Sequence, residues 1–345
     1  MTAPTLAFFT RLLDDAAPRQ RYTYALEQIQ RAERHGIGRA WVAQHHFHAA
    51  EGGLPSPLVF LAHAAAHTSR IRLGTGIITL PIEDPVRVAE DAVVADLLSD
   101  GRLDLGLGSG GTPTSFPPFG QDVRDKTAVY DAKLAALLNA LRGGDVGAGN
   151  ALYPDAAELA DRIWQATFSS FGGHRAGEHG HGLLLSRTQP RRGVDPYTPL
   201  AQVQDPIIDE YLAALPEGAT PRITASRTVF VADDRAEALR FAEVGLRRGA
   251  ESLRRQGQEF PDDSLEALIT LTDTHLGTPD EVAASLAQDR TLDRATEVAF
   301  QVHSVDAPHE HVLRSIELIA DEVAPALGWS TGLQTVGAHD EEAGA

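Results

Sequence analysis

The stretch WVAQHHFHAA (41–50) places His45, His46 and His48 directly after a short apolar run. Imidazole can ligate zinc or iron, carry a proton near neutral pH, or close a strand end with hydrogen bonds. Neighbouring residues on an extended segment point to opposite faces, which is poor geometry for one ion. No HExxH occurs and no acidic cluster sits beside these histidines, so no metal ligand is assigned. Proton transfer by one histidine and a purely structural role both stay open.

Two further segments could do chemistry. LGLGSGG (105–111) follows a strand-like run, and its glycines let backbone come close to a ligand. Its spacing departs from GxGxxG because the third glycine comes too early, so it is a poor dinucleotide fingerprint. TFSSFGGHRAGEHGHG (167–182) carries Ser169, Ser170 and Arg175. Hydroxyls, the free N–H groups of a helix start and a guanidinium suit a phosphate. A serine-capped helix without a ligand carries the same signature.

The elements that must position these residues follow from a pattern that keeps switching period. Strand-like runs fall near 5–9, 39–43, 71–78, 103–108, 162–168, 181–186, 222–231 and 297–303. Helical patterns lie between them at 21–36, 57–69, 84–101, 131–144 and from 233 onward, with another over 308–325. Strands alternating with helices specify parallel β/α units, and eight of them give a (β/α)8 TIM barrel with insertions. A doubly wound open sheet is the alternative. Residues 1–336 are read as a single domain. The proline-rich run 189–206, within an excursion over about 187–221, is read as a mobile loop and possible lid, with Arg191, Arg192 and Asp195 as solvated charges. The acidic tail 337–345 is expected to be disordered.

Composition sets the outer limits. The chain has 345 residues, 43% of them hydrophobic, enough for a large core and more than one core usually holds outside a barrel. Its 30 basic and 48 acidic residues give a formal charge of -18, which repels nucleic acid and anionic membrane. Without cysteine there are no disulfides, thiolate metal sites or thiol nucleophiles. MTAPTLAFFTRLL lacks the layout of a signal peptide, and no apolar run approaches the ~18 residues that span a bilayer. A soluble, cytoplasmic protein is expected.

Taken in order, these pieces resemble the bacterial luciferase-like flavin-dependent monooxygenase family over roughly residues 5–328. ERHGIGRAWVAQHHF is similar to the family's segment ending in His-His-Phe. IRLGTGIITLPIEDPVRVAEDAVVADLLSDGRLDLGLGSGG resembles its most diagnostic block, and GTPDEVAASLAQD with PHEHVLRSIELIADEVAPAL its closing unit. The resemblance implies a barrel that binds reduced FMN at its C-terminal rim, O2 adding to the flavin, and a peroxyflavin that oxidises a small organic substrate. It implies a separate flavin reductase and a homodimer formed through helices on one side of the barrel.

By position, the resemblance makes His45 the catalytic acid/base. Thr75 and Gly76 lie where backbone passes the flavin ring, with a cis peptide expected at Thr75–Gly76. Ser109 and Ser169 match phosphate-contacting positions. The family's phosphate arginine is here Ser109 and a phosphate threonine is Gly172, so Ser170, Arg175 and backbone N–H groups are expected to compensate. Gln44 stands where an acid usually precedes the histidine pair, and Gly108 replaces the reactive cysteine of luciferases. His46 and Arg187 are assigned to the substrate pocket. Two alternatives keep the fold: hydride transfer with the deazaflavin coenzyme F420, and flavin binding without turnover.

Overall fold

The computed structural model describes residues 3–191, 193–255, 259–260, 262–302 and 307–333. Its strands are β1 (Thr5–Thr10), β2 (Arg39–Val42), β3 (Arg72–Thr75), β4 (Ile78–Thr79), β5 (Leu103–Gly108), β6 (Ile163–Ala166), β7 (Gly182–Leu185), β8 (Ile223–Val231), β9 (Thr274–Gly277) and β10 (Glu297–Gln301). All neighbours are parallel, and the ring runs β1-β2-β3-β5-β6-β7-β8-β10 and back to β1. The eight strands expected from the sequence therefore close into a (β/α)8 barrel, and the open-sheet alternative falls.

Two strand details differ from the expectation. The third run is divided into β3 and β4, and between them the Gly76–Ile77 peptide is cis, one bond beyond the expected Thr75–Gly76. At this break Thr75 Oγ1 accepts from the Gly106 N–H at 2.8 Å and donates to the Gly106 carbonyl at 2.7 Å. One hydroxyl thus replaces the missing rungs of the ladder, as a buried backbone requires. Gly106 is obligatory there, because a Cβ would sit 1.9 Å from the Thr75 carbonyl oxygen. The second detail is β9, absent from the sequence reading, which pairs with the upper half of β8 outside the ring.

The barrel interior is packed by two indoles in edge contact, Trp41 and Trp164, with centroids 5.4 Å apart. Each lies over a glycine of the next strand; a Cβ on Gly74 or Gly182 would come within 2.3 or 2.1 Å of a ring. Below them a charged floor is fully paired. Arg39 lies 5.3 and 5.0 Å from the two indole centroids and bridges Asp104 and Glu297. Arg72 adds a second cation to Asp104 at 2.7 Å. Glu297 also accepts from Trp41 Nε1 at 2.9 Å and Thr224 Oγ1 at 2.8 Å. Burial acts to raise the Asp104 pKa, but the two arginines outweigh it and hold the carboxyl below its usual range. The segment after the last helix seals this end, with Ser330 and Thr331 carbonyls accepting from Leu6 and Gly38.

The expected mobile loop at 189–206 is partly wrong. From Leu200 the chain is a helix, Leu200–Ala214, that contains Pro206 and buries Ile207, Ile208 and Tyr211. It crosses the helix Ser170–Glu178 at backbone contact, since a Cβ on Gly173 or Gly177 would fall 2.5 or 2.4 Å from the Ile207 or Tyr211 carbonyl oxygen. Glycines read as part of a phosphate loop are thus a helix-packing surface. Arg191 is not a solvated charge: its side chain is 8% exposed, pairs with Asp273, and donates to the Thr198 carbonyl. Asp195 is exposed, as expected. Arg192, His303 and Ser304 at the end of the last expected strand, and the tail 337–345 lie outside the described residues. No helix among the described residues is long and apolar enough to cross a membrane.

Candidate active site

The C-terminal ends of the strands surround a cavity of about 760 Å³, within the ~300–1,000 Å³ typical of small-molecule and cofactor sites. Its deep wall is apolar, formed by Phe9, Trp41, Ile77, Leu184 and Ala299. His45, His46, Gly76, Ser109, Ser169, Arg175 and Arg187 all border it, so most of the residues picked from the sequence share one space.

Thr75 and Ser170 do not border the cavity. Thr75 is completely buried, and its hydroxyl is spent on Gly106. Ser170 opens the helix Ser170–Glu178, whose periodicity turns Phe171, Gly172 and Arg175 toward the cavity instead.

His45 follows β2, where the chain leaves the barrel. The loop then folds back, so that Glu51 Oε2 lies 3.5 Å from His45 Nδ1 and accepts from Thr112 Oγ1 at 2.7 Å. A carboxylate at Nδ1 places the imidazole proton there and leaves the lone pair on Nε2. Burial lowers the His45 pKa, Arg11 lowers it further, and Glu51 opposes both. The hydrogen bonds to His45 and Thr112 hold Glu51 down at about 2. The ring is thus neutral and oriented at neutral pH. His46 packs edge-on to Phe119 at 5.1 Å, and its buried Nε2 has no partner among the described residues. Gln44 uses both ends of its amide: Nε2 donates to Glu83 at 2.7 Å, and Oε1 accepts from the Thr79 N–H at 2.7 Å. An ionised acid at this position would face Glu83 with no proton to offer.

Across the mouth, Ser169 is the N-cap of the helix Ser170–Glu178 and accepts from the Gly172 N–H at 3.2 Å. Arg175 is already engaged, donating to Gln165 at 3.0 Å and Asp131 at 2.6 Å while stacking 4.3 Å over Tyr130. One helical turn before Tyr130, Lys126 also borders the cavity and donates to the Gly110 carbonyl at 2.8 Å. The chain after β7 closes this side, with Gln189 donating to the Phe168 carbonyl at 3.0 Å and Arg191 fastened to Asp273.

Sequence reasoning missed Glu51, Thr112, Lys126 and Arg11. Each is a single polar residue in no motif. Only for Glu51 was a signal available, an acid six positions after a candidate base in a glycine-containing loop.

Comparison with known proteins adds the following. The family profile described as luciferase-like monooxygenase matches residues 4–297. A limonene 1,2-monooxygenase from Rhodococcus erythropolis is 27% identical over 324 residues, 89% of this chain and 82% of that protein. The oxygenase component of a flavin-dependent trigonelline monooxygenase from Acinetobacter baylyi is 35% identical over 103 residues, 29% of this chain and 28% of that one. Two solved structures share the fold. One is the oxygenating constituent of 3,6-diketocamphane monooxygenase from Pseudomonas putida in complex with FMN, with TM-score 0.72, 19% identity, and coverage of 94% of this chain and 98% of that chain. The other is a coenzyme F420 dependent tetrahydromethanopterin reductase from Methanopyrus kandleri, with TM-score 0.68, 18% identity, and coverage of 94% and 100%.

Proposed function

The chain belongs to the luciferase-like monooxygenase family, and from that premise we propose that it is the cytoplasmic oxygenase of a two-component system, using reduced FMN from a separate flavin reductase and O2 to oxidise a small organic substrate. The observation that carries this reading is the rim cavity: one space bordered by an oriented neutral histidine, an apolar wall, and the capped start of a helix. The trigonelline relative, named as an oxygenase component, supports the separate reductase.

The residues present fit the cofactor. The apolar wall of Trp41, Ile77 and Leu184 suits a flat ring system. At the helix start, Ser169 and unpaired backbone N–H groups, with Ser109 and Lys126, would hold the phosphate. Arg175 would contribute through the part of its guanidinium that Asp131 and Gln165 leave free. The bound flavin supplies the redox chemistry. His45 accepts and returns a proton at Nε2, with Glu51 and Thr112 fixing its orientation. Phe116, Phe168 and Phe171 with residues 188–190 border the mouth and keep water out, the role expected of a lid. A homodimer would cover Val59, Val94, Leu97 and Leu98, which are 50–72% exposed on the adjoining helices Pro57–Ala65 and Pro85–Leu98.

A second reading, hydride transfer with coenzyme F420, is favoured by the equally complete overlap with the F420-dependent reductase. Titration with reduced FMN, FMN and F420, followed by stopped-flow mixing with O2, separates the two. The expected outcome is selective binding of reduced FMN and reoxidation slower than in free solution. Failure to bind it at micromolar protein, or reoxidation at the free rate, sinks the monooxygenase reading.

A further inference from the structure

Several enclosed arginines of this barrel face a carboxylate, while Arg102 and Arg222, away from the cavity, are held by backbone carbonyls. Arg39 has Asp104 and Glu297, Arg227 has Asp289, Arg191 has Asp273, and Arg162 has Asp96. Arg187, bordering the cavity, does not. Its Nε donates to Gln301 at 2.9 Å and its Nη1 to Thr228 at 3.1 Å, both neutral acceptors. Among the described residues no carboxylate pairs with it. The charge that acts on it is another cation, Arg11, which also borders the cavity. Arg11 donates to the Glu51 backbone carbonyl, while the Glu51 carboxylate is taken by Thr112 and His45; Arg11 Nε is left without a partner. Burial pulls both guanidiniums down, Arg11 to about 10 with the nearby Glu51 charge opposing it, and Arg187 to about 9 with repulsion from Arg11 adding to it.

A buried cation without a matching anion is costly, and a guanidinium is built to take a carboxylate through its fork. We propose that the substrate is an apolar organic acid whose carboxylate is bound between Arg11 and Arg187. This deepens the monooxygenase reading and rests on it for the identity of the cavity as the oxidation site.

Topology argues that the pair does not serve the cofactor phosphate. Arg11 follows β1, and the capped helix follows β6. Counted either way, through β2, β3 and β5 or through β10, β8 and β7, these strands are four steps apart, so Arg11 stands opposite the helix; Arg187 leaves β7 beside it, but its guanidinium is held on the far side, by Gln301 of β10 and Thr228 of β8. An apolar remainder suits the rest of the ligand, because Phe9, Ile77, Leu184 and Phe168 border the same cavity. The local charge also runs against the molecule's own: in a chain of net charge -18, the Lys, Arg, Asp and Glu residues bordering this pocket are all cations, Arg11, Lys126, Arg175 and Arg187. Selectivity for an acid therefore has to come from contact rather than from long-range attraction.

Calorimetric titration of the flavin-free protein with benzoate and hexanoate, each against its amide, tests the assignment. At least one acid is expected to bind about tenfold or more tightly than its amide, the preference a charge-assisted pair gives. Arg187→Gln should bring acid and amide to similar affinity, and Arg11→Gln should do the same. Arg187→Lys should keep part of the preference, and unchanged thermal melting would show that the variants fold. Equal binding of acid and amide by the unaltered protein overturns the proposal, as does binding of neither. So does a full preference surviving in Arg187→Gln. Reduced-FMN affinity is measured in parallel. If Arg187→Gln weakens it as much as it weakens acid binding, the pair serves the flavin and the proposal fails while the monooxygenase reading stands. If reduced FMN never binds but the acid preference is present, the converse holds.

Discussion

Arg39, at the lower end of β2, and Arg187, just past the upper end of β7, are both enclosed arginines in the same barrel, yet only Arg39 meets carboxylates. The lower network is closed on itself: Asp104 and Glu297 each serve two or more donors, and the indoles that lie over Arg39 donate toward them as well. The upper end leaves Arg11 Nε and His46 Nε2 without partners among the described residues. The difference separates charge used to hold the barrel shut from charge kept ready for a ligand. Parallel barrels have such a division between a stabilising bottom and a functional top, and here the carboxylates around Arg39 against the neutral partners of Arg187 follow it.

The largest expected effect tests that division directly. Asp104→Asn leaves Arg39 and Arg72 sharing a neutral amide in a buried site, and breaking one side of such a network costs about 3–5 kcal/mol. Arg187→Gln, which removes a cation with no matching anion, should cost little stability or add some. Urea melts of both variants against the parent give the comparison. Equal losses would mean that the upper arginine is as structural as the lower one.

A histidine pair sharpens the same contrast by pH. His181 sits just below β7, where Gln165 Nε2 donates to its Nδ1 at 2.9 Å and burial drives its pKa down to about 3. The folded protein therefore refuses a proton that the unfolded chain takes up near pH 6.5. The stability from this group is complete above about 6.5 and declines as pH falls toward 3, by up to ~1.4 kcal/mol per pH unit. His181→Gln should flatten that acid limb in melts between pH 7 and 4. An unchanged slope would place the proton uptake elsewhere. His45→Gln, at the rim, should act mainly on turnover.

What the sequence disclosed follows the same line. The strands were legible because their apolar runs alternate with helical periods, and β9 was missed because THLG, no shorter than β2 or β7, has a single large apolar residue and carries no such run. The helix Leu200–Ala214 was hidden by Pro206, a residue that ordinarily ends helices. At the site, His45 and Ser169 were visible because each sits where a strand hands over to a loop. Arg11, Glu51 and Lys126 were not, since a lone charge shows nothing in sequence of what it will face. The packing role of Gly173 and Gly177 was hidden for a related reason: a glycine marks close approach without saying whether a ligand or a helix approaches.

The smallest effect concerns Ser169, where structure and function overlap in one hydroxyl. Its Oγ caps the helix Ser170–Glu178, so Ser169→Ala should cost roughly 0.5–2 kcal/mol and also weaken reduced-FMN binding. That variant alone cannot tell a frayed helix from a lost phosphate contact. Ser169→Asp can, because aspartate caps a helix about as well as serine while placing a negative charge where the phosphate is proposed to bind. It should melt near the parent yet bind reduced FMN more weakly than Ser169→Ala does. If Ser169→Asp binds as well as the parent, the phosphate is held elsewhere on the rim. The opposition between this helix and Arg11 past β1 would then need another anchor, with Lys126 the next cation to remove.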